Sequence, residues 1–341
     1  MARIGADMSE QSTGERVRRP ELERVFQHLG EVVAAADLSG VTDPEEQSLL
    51  IAREHGMPRY GDIGPAVSLE GVTFEPVSAG GVPGVWVTAE GADSTRRIVY
   101  IHGGGWRSGA PEHYRGFAAT LARLSGASIL LVDYRLAPEH RFPAGLDDCV
   151  TAYEWAVDNG PESARAGRAD ADPAERVFLA GDSAGGNLAA ATCLRLCAAG
   201  GRVPDRLALI AGTLDNVEVE RRVGIDDPIC APEELARCTR TYLADGHSPA
   251  DPYVSPVFAP DELLRRFPPT LLQVSAIEAL VWDSKRFAAR LEDAGVRVTL
   301  SVWPELPHVW HMFLGHLDEA HEGLAEIADF LDRVEHRRAE R

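Results

Sequence analysis

The chain has 341 residues, 45% of them hydrophobic, enough for the core of one α/β domain carrying insertions. Its 34 basic residues against 53 acidic ones leave a formal net charge of -19, which excludes nucleic acids and anionic membrane surfaces as partners because both demand basic clusters. Five scattered cysteines, an odd count, read as small buried hydrophobes in a reducing compartment; no His or further Cys stands at ligand spacing to complete a metal site.

In chain order, Leu22, Val25, Phe26, Leu29, Val32 and Val33 fall at helical spacing and predict an amphipathic helix over 21–36 that needs an apolar partner. Residues 37–66 read as a polar loop with a short helix near 44–55. "GVTFEPVS" and "GVWVTAE" read as two strands joined through Gly80, Gly81 and Gly84. From Arg97 the pattern changes. The apolar runs "RRIVYIH", "ASILLVDY", "ERVFLAG", "DRLALIAG", "PTLLQVSA" and "VRVTLSVW" alternate with helical stretches at about 113–124, 145–157, 184–199, 284–294 and 317–334. Short, nearly all-apolar strands alternating with helices predict a mostly parallel central sheet covered on both faces. Between Leu214 and Ala250 the alternation lapses into an acidic insertion with one helix near 233–243, placed to lie over the carboxyl ends of the strands. The N-terminus has no apolar signal core and no run is long enough to span a bilayer, so a cytoplasmic protein without an integral membrane segment is expected.

"LAGDSAGGN" follows a strand and opens a helix, so Gly181 to Gly185 fit G-x-S-x-G in its proper context, with Ser183 as the candidate nucleophile. A bland alternative is a glycine-rich strand-to-helix turn with an incidental serine. "IHGGGWRSG" follows an earlier strand, and its glycines let the backbone turn N–H groups inward toward a developing oxyanion. Gly104, Gly105 and the Ala184 N–H are the expected donors. No Lys-Ser/Thr follows, which rules out a phosphate-binding P-loop, and no G-x-G-x-x-G suggests a dinucleotide; neither cofactor nor metal is expected. His102 reads as a brace for this loop. After the last strand, "PELPHVWHMF" offers His308 and His311 as a base.

"HGGGW" and "GDSAGG", in this order, together with "DYRLAPEHRFPA", resemble the hormone-sensitive-lipase-like (family IV) carboxylesterases, from about Arg97 to Leu317. The resemblance implies an α/β-hydrolase fold: a catalytic core over 71–341, with 1–70 and 212–250 as a helical cap over the site. It also implies His308 as the base, since the family's histidine follows a proline, and it makes a homodimer plausible. The weak point is "VSAIEALVWDS", where the family commonly carries an aspartate. Aligning leucine on leucine puts Glu278 at the position of the acid. Asp283 is the rival and is otherwise expected to cap the helix near Ser284. Glutamate is chemically adequate, because the role is to accept the imidazole Nδ1–H and stabilise imidazolium. Asp182 is expected to point away from Ser183 and pair with Arg135 or another arginine of "DYRLAPEHR".

The function expected is a serine hydrolase that cleaves a small apolar ester or lactone through an acyl-enzyme on Ser183, with Trp106, Trp282 and Trp310 as candidate pocket residues. The altered "SAIE" stretch keeps two rivals in view: a ligand-binding descendant that no longer hydrolyses, and a member that performs acyl transfer or elimination.

Overall fold

The computed structural model describes residues 19–162, 173–217, 219, 222 and 230–332. An eight-stranded sheet forms the centre: β1 (Val72–Ala79), β2 (Val82–Ala89), β3 (Asp93–Ile101), β4 (Ala127–Val132), β5 (Arg176–Asp182), β6 (Arg206–Ile210), β7 (Thr270–Ser275) and β8 (Val298–Trp303). Their order is β1-β2-β4-β3-β5-β6-β7-β8. β1 and β2 pair antiparallel with each other, β2 pairs antiparallel with β4, and the remaining pairings are parallel. Every residue of β4, β6 and β7 is buried, which is why these strands read as continuous apolar runs instead of alternating ones.

The helices are α1 (Pro20–Ala34), α2 (Pro44–Leu50), α3 (Met57–Arg59), α4 (Arg115–Ser125), α5 (Ala144–Asp158), α6 (Ala184–Ala199), α7 (Pro232–Tyr242), α8 (Asp261–Leu264), α9 (Val281–Asp293) and α10 (Asp318–Asp332). A π-helical turn, Ile51–Gly56, joins α2 to α3, so the segment expected to be mostly loop is mostly helical. α5, α6 and α9 bury Leu146, Tyr153, Leu188, Leu194, Phe287 and Leu291 on one face of the sheet. α4 and α10 cover the other with Phe117, Leu121, Leu324, Ile327 and Leu331. Positions 333 and 334, expected to continue the last helix, lie outside the described residues, as do 1–18 and part of the 212–250 segment.

The apolar stripe of α1 finds its partner away from the sheet. Leu22, Val25, Phe26 and Leu29 pack with Ile277, Leu306, Trp310 and Phe313, residues of the two loops that follow β7 and β8. Each such side chain, fully buried, contributes on the order of 2 kcal/mol. The helix therefore braces the loops that carry Glu278 and His308.

The turn from β5 into α6 packs backbone directly against backbone. A Cβ placed on Gly185 would stand 2.1 Å from the Ile101 carbonyl oxygen and 2.4 Å from that of His102. Backbone cannot give way there as a flexible side chain could. We expect Gly185→Ala to destabilise the fold by about 3 kcal/mol or more; a thermal melt within a degree or two of the parent would contradict this packing.

Candidate active site

Ser183 sits between β5 and α6 with φ 53° and ψ -122°, a backbone conformation that a non-glycine residue holds only when its surroundings enforce it. Its N–H donates to the Ile210 carbonyl at 2.8 Å, and its own carbonyl receives Thr213 N–H at 3.2 Å, so β6 and the following loop clamp the turn. Half-buried, Ser183 lines a cavity of about 490 Å³ together with His308, Gly104, Gly105, Asp182 and Cys230.

The loop after β3 arranges its glycines as the sequence suggests. Gly104 has φ 113° and Gly105 φ 62°, values open to glycine at little cost, and the turn continues through Trp106 at φ 60°. Ala184 opens α6, so its N–H has no carbonyl to bond within its own helix. His102 braces the loop: its ring stacks on Tyr134 at 4.4 Å and Nδ1 donates to the Gly103 carbonyl at 2.7 Å. Burial pushes this imidazole down to about 4, so it stays neutral.

The stretch that departs from the family pattern is built into the site. Glu278 is fully buried in the turn between β7 and α9. Its Oε1 accepts Ser275 N–H at 2.7 Å, and its Oε2 lies 2.5 Å from His308 Nδ1. A carboxylate accepts, so Nδ1 carries the proton and Nε2 is the basic position of the ring. The Ser275 hydroxyl accepts Leu306 N–H at 3.2 Å, tying the loop of the acid to the loop of the base. Tyr60 donates its hydroxyl to the His308 carbonyl. Burial opposes charge on the His308 ring, but the neighbouring Cys230 sulfur and Glu278 carboxylate outweigh it, and the pKa stands well above the ordinary histidine value.

Asp283 is elsewhere. α9 begins at Val281, so Asp283 lies inside the first turn and not at the cap. Its carboxylate accepts the N–H groups of Leu214 and Asp215 at 2.8 and 2.9 Å and pairs with Arg222 at 2.7 Å. Burial raises its pKa to about 7, against the opposing pull of Arg222. Asp215 pairs with Arg286. Asp182 has partners other than Arg135, which pairs with Asp148 at 2.7 Å. The Asp182 carboxylate accepts Tyr100 and Tyr114 hydroxyls at 2.8 and 2.9 Å and Gly103 N–H at 3.1 Å, which fastens the glycine loop to the nucleophile turn. Burial pushes this carboxyl up to about 6.

Of the three tryptophans, Trp106 lines the cavity, stacked on Tyr242 at 4.5 Å. Trp310 is core: fully buried, it packs on Trp303 and His311 and donates Nε1–H to the Glu319 carbonyl. Trp282 is 57% exposed, because the helix turns its side away from the neighbouring buried Val281 and Asp283. His311 is buried against Gln273 and burial pushes it down to about 3, so it stays neutral and structural. Further parts of the wall come from Leu29, Val32, Ile51, Met57, Leu235 and Cys238, interleaved with polar Gln47, Ser48, Arg107, Glu234 and Arg237. Among the described residues, no group of three His, Cys, Asp or Glu could hold a metal, and no helix is long and apolar enough to cross a membrane.

A serine on a strand-to-helix elbow, a buried His–Glu pair after the last two strands and a glycine loop after an earlier strand define an α/β-hydrolase, and residues 98–312 match the family described as the alpha/beta hydrolase fold. An esterase of Acinetobacter venetianus is 32% identical over 262 residues, covering 76% of this chain and 82% of that protein. An acetyl-hydrolase of Streptomyces hygroscopicus is 30% identical over 289 residues, 82% of this chain and 88% of that one. The crystal structure of an esterase from the bacterial hormone-sensitive lipase family superposes with a TM-score of 0.75 at 31% identity, covering 92% of this chain and 98% of that chain. The chain belongs to the hormone-sensitive-lipase-like family of α/β-hydrolases.

The electrostatics of the pair can be measured directly. NMR titration of the His308 ring is expected to give a midpoint above 6.5, and Glu278→Gln, which removes the adjacent negative charge, should lower it. A wild-type midpoint at or below 6.5, or one that Glu278→Gln leaves in place, contradicts the arrangement.

Proposed function

We propose that this protein hydrolyses a carboxylic ester through an acyl-enzyme on Ser183, with His308 as general base and Glu278 as the acid that orients it. The observation that carries this reading is the Glu278–His308 contact at 2.5 Å, buried beside the cavity that Ser183 also lines. Ser183 Oγ attacks the ester carbonyl while His308 Nε2 takes its proton. The carbonyl oxygen becomes an oxyanion held by the N–H groups of Gly104, Gly105 and Ala184, each donor of this kind contributing about 3–4 kcal/mol in comparable sites. His308 then gives the proton to the departing alcohol. Water, deprotonated by the same ring, attacks the acyl-enzyme and releases the carboxylic acid and free Ser183.

The substrate proposed is a small, uncharged ester or lactone with an apolar acyl group. Leu29, Val32, Ile51, Met57 and Leu235 around the cavity support it, and a net charge of -19 disfavours anionic substrates. We assign α1 to α3 and the 212–250 segment to a cap over the core, since both contribute to this wall. A homodimer is consistent with the edge strand β8, which leaves Leu300 and Val302 exposed at 37% and 40%; the cysteines, all buried and none in a disulfide, are consistent with a cytoplasmic setting.

Kinetics on a p-nitrophenyl ester test the assignment. Ser183→Ala should abolish turnover, and Glu278→Gln should lower kcat/KM by at least about 10³-fold. Asp283→Asn should keep kcat in the folded enzyme while lowering Tm, because it removes one partner of a buried ion pair, a loss of about 3–5 kcal/mol in comparable cases. Near-wild-type turnover by Glu278→Gln, or a collapse of kcat in folded Asp283→Asn, would reverse the two roles. Labelling of Ser183 by a fluorophosphonate is expected; its absence would favour a binding protein. Labelling with acyl transfer but little hydrolysis would favour the transferase.

A further inference from the structure

Three separate parts of the chain meet at Arg107, the residue that follows the glycine loop and Trp106. Its Nη2 donates to Ser48 Oγ of α2 at 2.8 Å and to Glu234 Oε1 of α7, and Ser48 Oγ donates to the same carboxylate oxygen at 2.7 Å. The Arg107 side chain is 3% exposed. From the π-turn, Arg53 Nε donates to the Arg107 carbonyl at 2.7 Å, while its Nη2 reaches the Ala137 carbonyl and Glu139. The far side of Glu234 receives Arg237 Nε at 3.2 Å.

The same residue closes the turn that carries the oxyanion donors. The Gly104 carbonyl receives Arg107 N–H at 3.2 Å, Ser108 N–H at 3.0 Å and the Ser108 hydroxyl at 2.8 Å. Gly104, Gly105 and Trp106 hold positive φ in succession, a path that includes a bulky residue and that local preference alone does not select. Such a stretch keeps its shape because its ends are held. One end is held by Asp182 through Gly103 N–H, within the core. The other is held at Arg107, whose side-chain partners Ser48 and Glu234 both belong to the cavity wall. Arg107 Nε and Nη1 are enclosed, with the Cys238 thiol beside the guanidinium, and the side chain's hydrogen bonds to oxygen go to the wall residues Ser48 and Glu234.

We propose that Arg107 is a positioning residue that couples the cavity wall to the oxyanion turn: seating of α2 and α7 and alignment of the Gly104 and Gly105 N–H groups are one event. This rests on the ester hydrolase reading and on those two glycines as donors. A latch that merely held the wall closed would change how well long acyl chains bind. A coupling residue changes the chemical step for every ester, because a donor misplaced by about 1 Å costs on the order of 10²-fold in rate.

The test compares Arg107→Met, Arg107→Lys and Glu234→Gln with the parent on p-nitrophenyl acetate and p-nitrophenyl octanoate, with folded protein verified by circular dichroism and active sites counted by fluorophosphonate. We expect Arg107→Met to lower kcat on both esters by about 10- to 100-fold with KM within about threefold, and Arg107→Lys to recover part of the loss. A kcat for Arg107→Met within about threefold of the parent, or a loss confined to KM for the octanoate, overturns the proposal. If Arg107→Met does not fold, Glu234→Gln and Ser48→Ala take its place: each removes one wall partner while leaving the loop sequence intact. A fall in kcat on the acetate in either supports the coupling, and unchanged kcat in both overturns it. Failure of the parent itself to react with fluorophosphonate would instead remove the hydrolase reading beneath it.

Discussion

The backbone of Ser183 is the constraint on which the site depends. Its positive φ can persist only if β5 and α6 pass almost in contact, and that contact is possible only because Gly181 and Gly185 lack side chains. The same turn fixes the two residues beside it. Asp182 gathers Tyr100, Tyr114 and Gly103, and Ala184 becomes the first residue of a helix, with no carbonyl of that helix for its N–H. Strain at one residue thus aligns the Ser183 turn, the glycine loop and the helix terminus, and the buried sheet beneath supplies the rigidity that maintains it.

The second requirement is a carboxylate held in place on the far nitrogen of an imidazole. Here the chain departs from the residue common in its family yet still sets a buried carboxylate against the ring. Glu278 anchors Oε1 on the Ser275 amide and presents Oε2 to the His308 ring. The Ser275 hydroxyl accepts Leu306 N–H, two residues before His308, and so adds a fixed point between the two loops. α1 adds a third, apolar, brace by packing on Ile277 and Leu306.

The strands, the elbow and the His–Glu pair were legible in the sequence because each rests on local pattern: apolar runs, glycines at fixed offsets, a histidine after the final strand. What could not be read depends on contacts between distant positions. Asp182 meets Tyr100 across 82 positions, so proximity of an arginine in "DYRLAPEHR" was a poor guide to its partner. Trp282 and Trp310 lie near motif residues in sequence, but helical phase takes one to solvent and packing takes the other into the core. The start of α9 was misplaced by three residues because Asp283 looks like a cap, whereas its carboxylate serves the loop after β6. The segment over 37–66 reads as polar and loop-like apart from a short helix near 44–55, yet Ile51, Ala52, Met57 and Tyr60 line the cavity, beside Gln47 and Ser48.

Because Ser183, Glu278 and His308 all hang from the carboxyl ends of core strands while much of the wall belongs to segments before β1 and after β6, reactivity and substrate choice occupy largely separate stretches of chain. Variation in Ile51, Met57 or Leu235 can reshape the space offered to an acyl group without disturbing the elbow or the His–Glu pair. For laboratory diversification, those wall positions are the ones to randomise, and Ser48, Arg107 and Glu234 are the points at which the two halves stop being independent.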